Sequence, residues 1–270
     1  MIKIGMSTSC TFPKPTSQAF KIAAAAGYDG VEVMVSTEND SRNPHALRAF
    51  SARYGLPVLS IHAPVLLFTQ FVWGTKPDEK LERTVELAHE MGARTVVVHP
   101  PFRWQGSYAT RFEEQVTRLE RESGIALAVE NMFPWNVAGS QKAYLPGTNP
   151  IEMNVDSITL DFSHAALSGE NSYDMAIAAG DRLRHLHLCD GEAPDGKKRL
   201  FDEHRMPGQG GQPVAKTLRH LTDSGWDGLV IAEVNTRSAR KDEAKRLHML
   251  RETLEFARTH TAVPAQQPQQ

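Results

Sequence analysis

The stretch LTDSGWDGLVIAEVN, residues 221–235, reads as the end of a helix, a glycine stop at Gly225 and a short apolar strand. Glycine tolerates the left-handed backbone that ends a helix. A continuous apolar run such as Leu229–Ala232 suits a parallel strand covered on both faces. The same phrase recurs in other words at 23–35 (AAAAGYDGVEVMV), 88–100 (AHEMGARTVVVHP) and 121–131 (RESGIALAVEN), with Gly27, Gly92 and Gly124 as the stops. Pro44, Pro77 and Pro213 suit first helical turns, where a missing N–H costs nothing. Extending the pattern in both directions predicts strands at 2–8, 30–35, 58–64, 95–101, 126–132, 157–162, 183–189 and 228–234. Strands alternating with helices are βαβ units, whose crossovers are right-handed. Eight of them close into an α/β fold of the (β/α)8 barrel type. The rival, an open doubly wound sheet, lacks its GxGxxG after the first strand.

The 270-residue length fits one barrel of roughly 250 residues. The expectation is a single barrel domain over 1–260 and a disordered tail over 261–270, ending AVPAQQPQQ. Two stretches interrupt the rhythm and read as long loops: 133–156, rich in Pro, Gly and Asn, and the charged, glycine-rich 190–212. A net charge of −2 gives no general attraction to nucleic acid or anionic membrane. Cys10 and Cys189 are too few and too far apart for a disulfide framework. The start, MIKIG, reads as a strand rather than a signal peptide, and no apolar run approaches the roughly 20 residues of a membrane helix. A cytoplasmic location is expected.

Active sites of such barrels lie at the C-terminal ends of the strands. Here six consecutive strands end in ionisable or imidazole side chains: His62, His99, Glu130, Asp161 followed by His164, His187, and Glu233. The loop after the seventh strand adds Asp202, Glu203 and His204. Any one of them alone reads as a hydrogen-bonded structural residue or a helix cap. Together they are costly to bury unless metal or mutual pairing compensates, and metal is the simpler compensation. His185 and His187 share a face by strand parity. His187, nearer the strand end, is the better ligand, and His185 lies a layer deeper.

The segments SIHAP (60–64), VVVHPP (96–101), AVENM (128–132), LDFSHAALSGE (160–170), HLHLCDG (185–191), DEHRMPGQG (202–210) and IAEVN (231–235) resemble the xylose isomerase-like TIM barrel superfamily. It holds sugar phosphate isomerases and epimerases as well as AP endonuclease family 2, the endonuclease IV-like enzymes. The resemblance to the isomerase and epimerase branch implies one divalent ion on Glu130, Asp161, His187 and Glu233. The endonuclease IV branch implies three zinc ions, with further ligands or substrate contacts at His62, His99, His164, Asp202 and His204. All nine positions are occupied here. The segment Asn131-Met132-Phe133-Pro134-Trp135 departs from the small, glycine-containing sequence of the repair enzymes.

The leading expectation is a metal-dependent isomerase or epimerase of a sugar or sugar phosphate, with Glu130 and Glu233 moving a proton through an enediolate. Three carboxylates and an imidazole suit Mn²⁺, Co²⁺ or Mg²⁺, whereas the added histidines favour Zn²⁺. Trp73, Trp104 and Trp135 follow strand ends, where aromatic faces stack on sugar rings or form ordinary loop packing. Arg103, Arg205 and Arg237 are candidates for a substrate phosphate. The alternative is an endonuclease IV-like phosphodiesterase. Its basic track would have to come from Lys197-Lys198-Arg199 alone. A binding protein that has lost catalysis fits poorly with an intact ligand set. Homo-oligomerisation is left open.

Overall fold

The structure, a computed structural model, describes residues 2–64, 69, 71–134, 136–137, 141–142, 144–194 and 202–262. The eight strands of the barrel are β1 (Lys3–Ser7), β2 (Gly30–Met34), β3 (Val58–His62), β4 (Thr95–Val98), β5 (Ala126–Glu130), β6 (Ile158–Asp161), β7 (Leu183–Leu188) and β8 (Leu229–Ala232). Each pairs in parallel with its sequence neighbours, and β1 pairs with β8, so the sheet closes without an edge. Every predicted strand is present and sits inside its predicted bounds.

Around them lie α1 (Thr16–Ala26), α2 (Pro44–Tyr54), α3 (Pro77–Met91), α4 (Ser107–Ser123), α5 (Phe162–Ser168), α6 (Ser172–Ala179), α7 (Val214–Asp223) and α8 (Glu243–Thr261). Pro44 and Pro77 open their helices, while Pro213 stands one position before α7. Gly27, Gly92 and Gly124 cap α1, α3 and α4 in the left-handed conformation, as their positions in the recurring phrase require.

The alternation is uneven at one place. Among the described residues no α-helix follows β5, and α5 and α6 both follow β6. The stretch predicted as a long loop instead carries a short antiparallel pair, Asn136–Val137 with Gln141–Lys142, a bridge from Phe102 to Tyr144, and a 3-10 turn at Pro150–Glu152. Phe102, Met132 and Tyr144 form a small apolar cluster there, apart from the main core and with Phe133 against it.

The main core joins the strands to the inner faces of the helices, from Ile4 and Val31 to Leu186 and Val230. Its packing is tight where β1, β2 and β3 meet. A Cβ on Gly30 would stand 2.6 Å from Leu59 Cγ and 2.7 Å from the Pro57 carbonyl oxygen, so only glycine allows that approach. Cys10 and Cys189 are free and buried. Among the described residues no helix is long and apolar enough to cross a membrane.

Candidate functional site

The carboxyl ends of β3 to β8 converge on one polar centre, because a closed parallel barrel points all its strand ends to the same mouth. Glu130 ends β5, Asp161 ends β6, His187 stands on β7 and Glu233 follows β8. All four are buried, and one ligand atom of each lies within 4.8 Å of the others. His187 Nδ1 is the hub, 2.8 Å from Glu130 Oε1, 3.0 Å from Glu233 Oε2 and 3.7 Å from Asp161 Oδ2.

Two further groups flank this centre. His99 Nε2 lies 2.7 Å and His62 Nε2 3.4 Å from Glu130 Oε2. On the other side, Asp202 Oδ2 lies 3.1 Å from His164 Nε2 and 2.6 Å from His204 Nε2. The structure thus brings together nine of the ten strand-end and loop residues singled out in the sequence, while Glu203 pairs with Arg205 instead.

The hydrogen bonds of the histidines decide which nitrogens face inward. The Nδ1–H of His62 donates to the Ala63 carbonyl (3.0 Å), that of His164 to Asn131 (2.9 Å) and that of His204 to Glu233 (2.8 Å). A carbonyl only accepts, so each neutral ring turns an Nε2 lone pair toward a carboxylate. Lone pairs facing a carboxylate repel unless a proton or a cation lies between them. Glu130 Oε2 is fully buried and, among the described residues, has no hydrogen bond, despite its two imidazole neighbours. Such an orphaned oxygen, ringed by nitrogen and oxygen donors, fits a divalent cation.

Without an ion a proton takes that place, because the carboxylates raise His62, His164, His187 and His204 above the ordinary imidazole value against the effect of burial. Burial raises the Glu130 carboxyl, but the charges of His187 and His99 and a hydrogen bond from His187 hold it well below the ordinary carboxylate value. Burial also opposes ionisation of Glu233, yet His187 and His204 bring it down to about 2. Asp161 is raised, chiefly by burial. Burial disfavours the charged form of His164, which Asp161 and Asp202 overcome, lifting it to about 10. His187 is likewise lifted well above its usual value, against burial, by Glu233, Glu130 and Glu32. Cys189 lies beside Asp161 and His204, but burial and the Asp161 charge keep its thiol protonated.

Supporting bonds fix the carboxylates. The Ser9 hydroxyl donates to Glu233 Oε1 (2.9 Å), and the His164 amide donates to Asp161 Oδ1 (2.7 Å), which caps α5. Asn131 locks β5 to β6, donating to the Asp161 carbonyl (3.0 Å) and accepting from its amide (2.7 Å).

A cavity of about 560 Å³ opens beside His99 and is lined by Pro64, Pro100, Phe102, Trp104 and Tyr108, with Lys80 among them. Trp104 stacks on Phe102 with centroids 4.5 Å apart and is half exposed, so it forms a wall of this cavity. Trp73 packs against the main core and lines a separate outer groove. Trp135 and the run Lys197-Lys198-Arg199 lie outside the described residues. Arg103 opens the short turn Arg103–Gln105. The Arg205 guanidinium is held by Glu203 and Glu192, and exposed Arg237 lies over the Phe12 ring. Neither arginine belongs to the metal-ligand groups.

The family described as Xylose isomerase-like TIM barrel matches residues 20–260. The chain belongs to this family. An uncharacterized protein of Mycobacterium tuberculosis is 46% identical to this xylose isomerase-like barrel, covering 96% of this chain and 98% of that one. Fructoselysine 3-epimerase of Escherichia coli O157:H7 is 23% identical over 87% of this chain and 91% of its own. Among solved structures, 3-keto-D-glucoside 4-epimerase from E. coli superposes with a TM-score of 0.68 at 18% identity, covering 96% of this chain and all of that one. The IOLI protein with a binding zinc atom gives 0.69 at 16% identity over 97% of this chain and all of its own. These two likenesses show the barrel.

Glu32 escaped the sequence reading. It is fully buried in the middle of β2 and contacts both His185 and His187. A lone carboxylate inside the apolar strand GVEVM was the available signal.

Proposed function

We propose that this chain is a divalent-metal-dependent isomerase or epimerase acting on a sugar or sugar phosphate. The observation that carries the reading is the convergence of Glu130, Asp161 and Glu233 on His187 Nδ1. The names of the epimerases among its relatives point the same way. A divalent ion bound by these four residues would polarise a substrate carbonyl and stabilise negative charge on the adjacent oxygens.

The residues of the chain do the rest. Glu130 and Glu233 are held ionised, as a base must be before it removes a proton from the carbon next to a carbonyl. One of them would take the proton, and the other, after gaining a proton from solvent or from a substrate hydroxyl, would deliver it to the carbon, so that the carbon changes configuration or the carbonyl moves. Ser9 orients Glu233, and Asn131 fixes the strand that carries Glu130 against the one that carries Asp161. The barrel wall keeps bulk water from both carboxylates, which are buried. The Trp104 face offers a stacking surface beside the centre. The carboxylate-rich central set suits Mn²⁺, Co²⁺ or Mg²⁺, and the imidazole-rich flanks suit Zn²⁺.

A second reading, an endonuclease IV-like phosphodiesterase, is favoured by one observation: His62 and His99 with Glu130, and His164 with Asp202 and His204, form two further groups able to hold an ion each. Metal content separates the two. Protein purified without tag or chelator should carry about one ion per chain and wash solvent deuterium into a ketose. Chelation or Glu233→Gln should abolish that exchange by at least about a thousandfold. Three tightly held zinc ions with cleavage of abasic DNA would establish the second reading instead. No ion after reloading, or exchange that survives Glu233→Gln, would overturn the proposal.

A further inference from the structure

Beneath the four-residue centre lies a carboxylate that no step above uses. Glu32 Oε1 is 3.1 Å from His187 Nε2. Its Oε2 is 3.0 Å from His185 Nε2 and accepts a 2.9 Å hydrogen bond from the Ser60 hydroxyl. Three strands, β2, β3 and β7, therefore meet at one fully buried side chain.

An ionised carboxylate only accepts, so Glu32 places a proton on Nε2 of both rings. A neutral imidazole has one ring proton. With that proton held on Nε2 of His187, a cation that displaces any proton from Nδ1 meets a lone pair directed at Glu130, Glu233 and Asp161. His185 Nδ1 is buried without a partner among the described residues, as expected for a neutral ring whose proton is committed to Glu32. Without Glu32 the rule would invert. Three carboxylates around Nδ1 would draw the proton there and remove the lone pair from the centre.

We propose that Glu32 is the positioning residue that holds His187 in the tautomer that coordinates through Nδ1, and that it sets metal affinity from below the site. Ser60 assists by fixing the second oxygen. The rival use of the same atoms is an additional ion held by Glu32, His185 and His187. The two uses exclude each other, because an ion there needs the Nε2 lone pair of His187 and leaves its proton on Nδ1. The inference rests on the metal reading proposed above.

The test compares wild type, Glu32→Gln and Ser60→Ala as full-length chains, stripped of metal and titrated with Zn²⁺ and Co²⁺ against a chromophoric chelator. Circular dichroism and thermal melting confirm that each is folded. Glu32→Gln should weaken metal binding about 10- to 100-fold with the number of ions per chain unchanged. Ser60→Ala should weaken it in the same direction by a smaller factor. In the metal-loaded wild type, nitrogen-15 spectra of the histidines should show His187 protonated at Nε2, a readout that holds even where Glu32→Gln does not fold. Unchanged affinity in folded Glu32→Gln, loss of one ion per chain, or a proton on His187 Nδ1 would overturn the proposal. A wild-type chain that takes up no ion would overturn the metal reading itself, and this inference with it.

Discussion

Asp190→Ala tests how the long loop after β7 is held to the barrel. Asp190 is fully buried. Its Oδ1 accepts from the amides of Gly191 (2.8 Å) and Gln212 (3.1 Å), and its Oδ2 from those of Gly208 (2.9 Å) and Gly210 (3.0 Å). Backbone bonds to Arg205 of 2.9 and 2.8 Å complete the strap. Hydrogen bonds to a charged acceptor contribute about 1.5–3 kcal/mol each, so four independent ones would total about 6–12 kcal/mol. Two facts reduce that. Gly208 is exposed and Gly210 and Gln212 are half-buried, so three of the donors regain water, and only the Gly191 amide is stranded in a buried position. Burial also raises the Asp190 carboxyl above its ordinary value despite the four amides, so the fold gains little from its charge. One stranded amide at about 1–3 kcal/mol and three re-solvated ones at about 0.5–1 each leave about 2.5–6 kcal/mol. Urea unfolding of the metal-free protein at neutral pH, with amide exchange at Gly208 and Gly210, measures it. A variant within about 0.5 kcal/mol of wild type, with exchange unchanged, would refute the reasoning.

Three other outcomes follow from the structure. His164 is raised to about 10 in the fold, so its contribution to the stability of the metal-free protein is complete below the unfolded value near 6.5 and is lost as pH rises toward 10. Glu233, lowered to about 2, contributes above the unfolded value near 4.3 and loses that contribution as pH falls toward 2. Urea midpoints across pH should therefore decline at both ends, and metal uptake at pH 7 should release protons, read by calorimetry in buffers of different ionisation heat. Gly30→Ala should destabilise by about 1–3 kcal/mol or more, because the added carbon meets the Pro57 carbonyl and Leu59. It should also weaken metal binding, since Glu32 lies two residues further along the same strand.

The fold was legible because its signals are local. Gly27, Gly92 and Gly124 each stop a helix directly before a strand, and runs such as Thr95–Val98 have no polar face to hide. The nine ligand-type residues were legible because a closed parallel barrel converts strand-end position into spatial proximity. Glu32 was missed for the complementary reason. It lies mid-strand, and only the pairing of β2 with β3 and the depth of His185 bring it under His187. That no α-helix follows β5 among the described residues shows in sequence only as a long stretch rich in turn residues. The choice of helix or hairpin there is made by contacts distant along the chain, such as Phe102 with Tyr144.

The separate cluster of Phe102, Met132 and Tyr144 has an evolutionary consequence. Among the described residues it is not continuous with the apolar interior that closes the barrel, and it borders the cavity beside His99 through Phe102. Replacing its aromatic residues therefore exchanges the lining of the cavity while the strands and their carboxylates keep their own support. Selection can revise what the pocket admits as a cassette, leaving the reactive centre inherited intact.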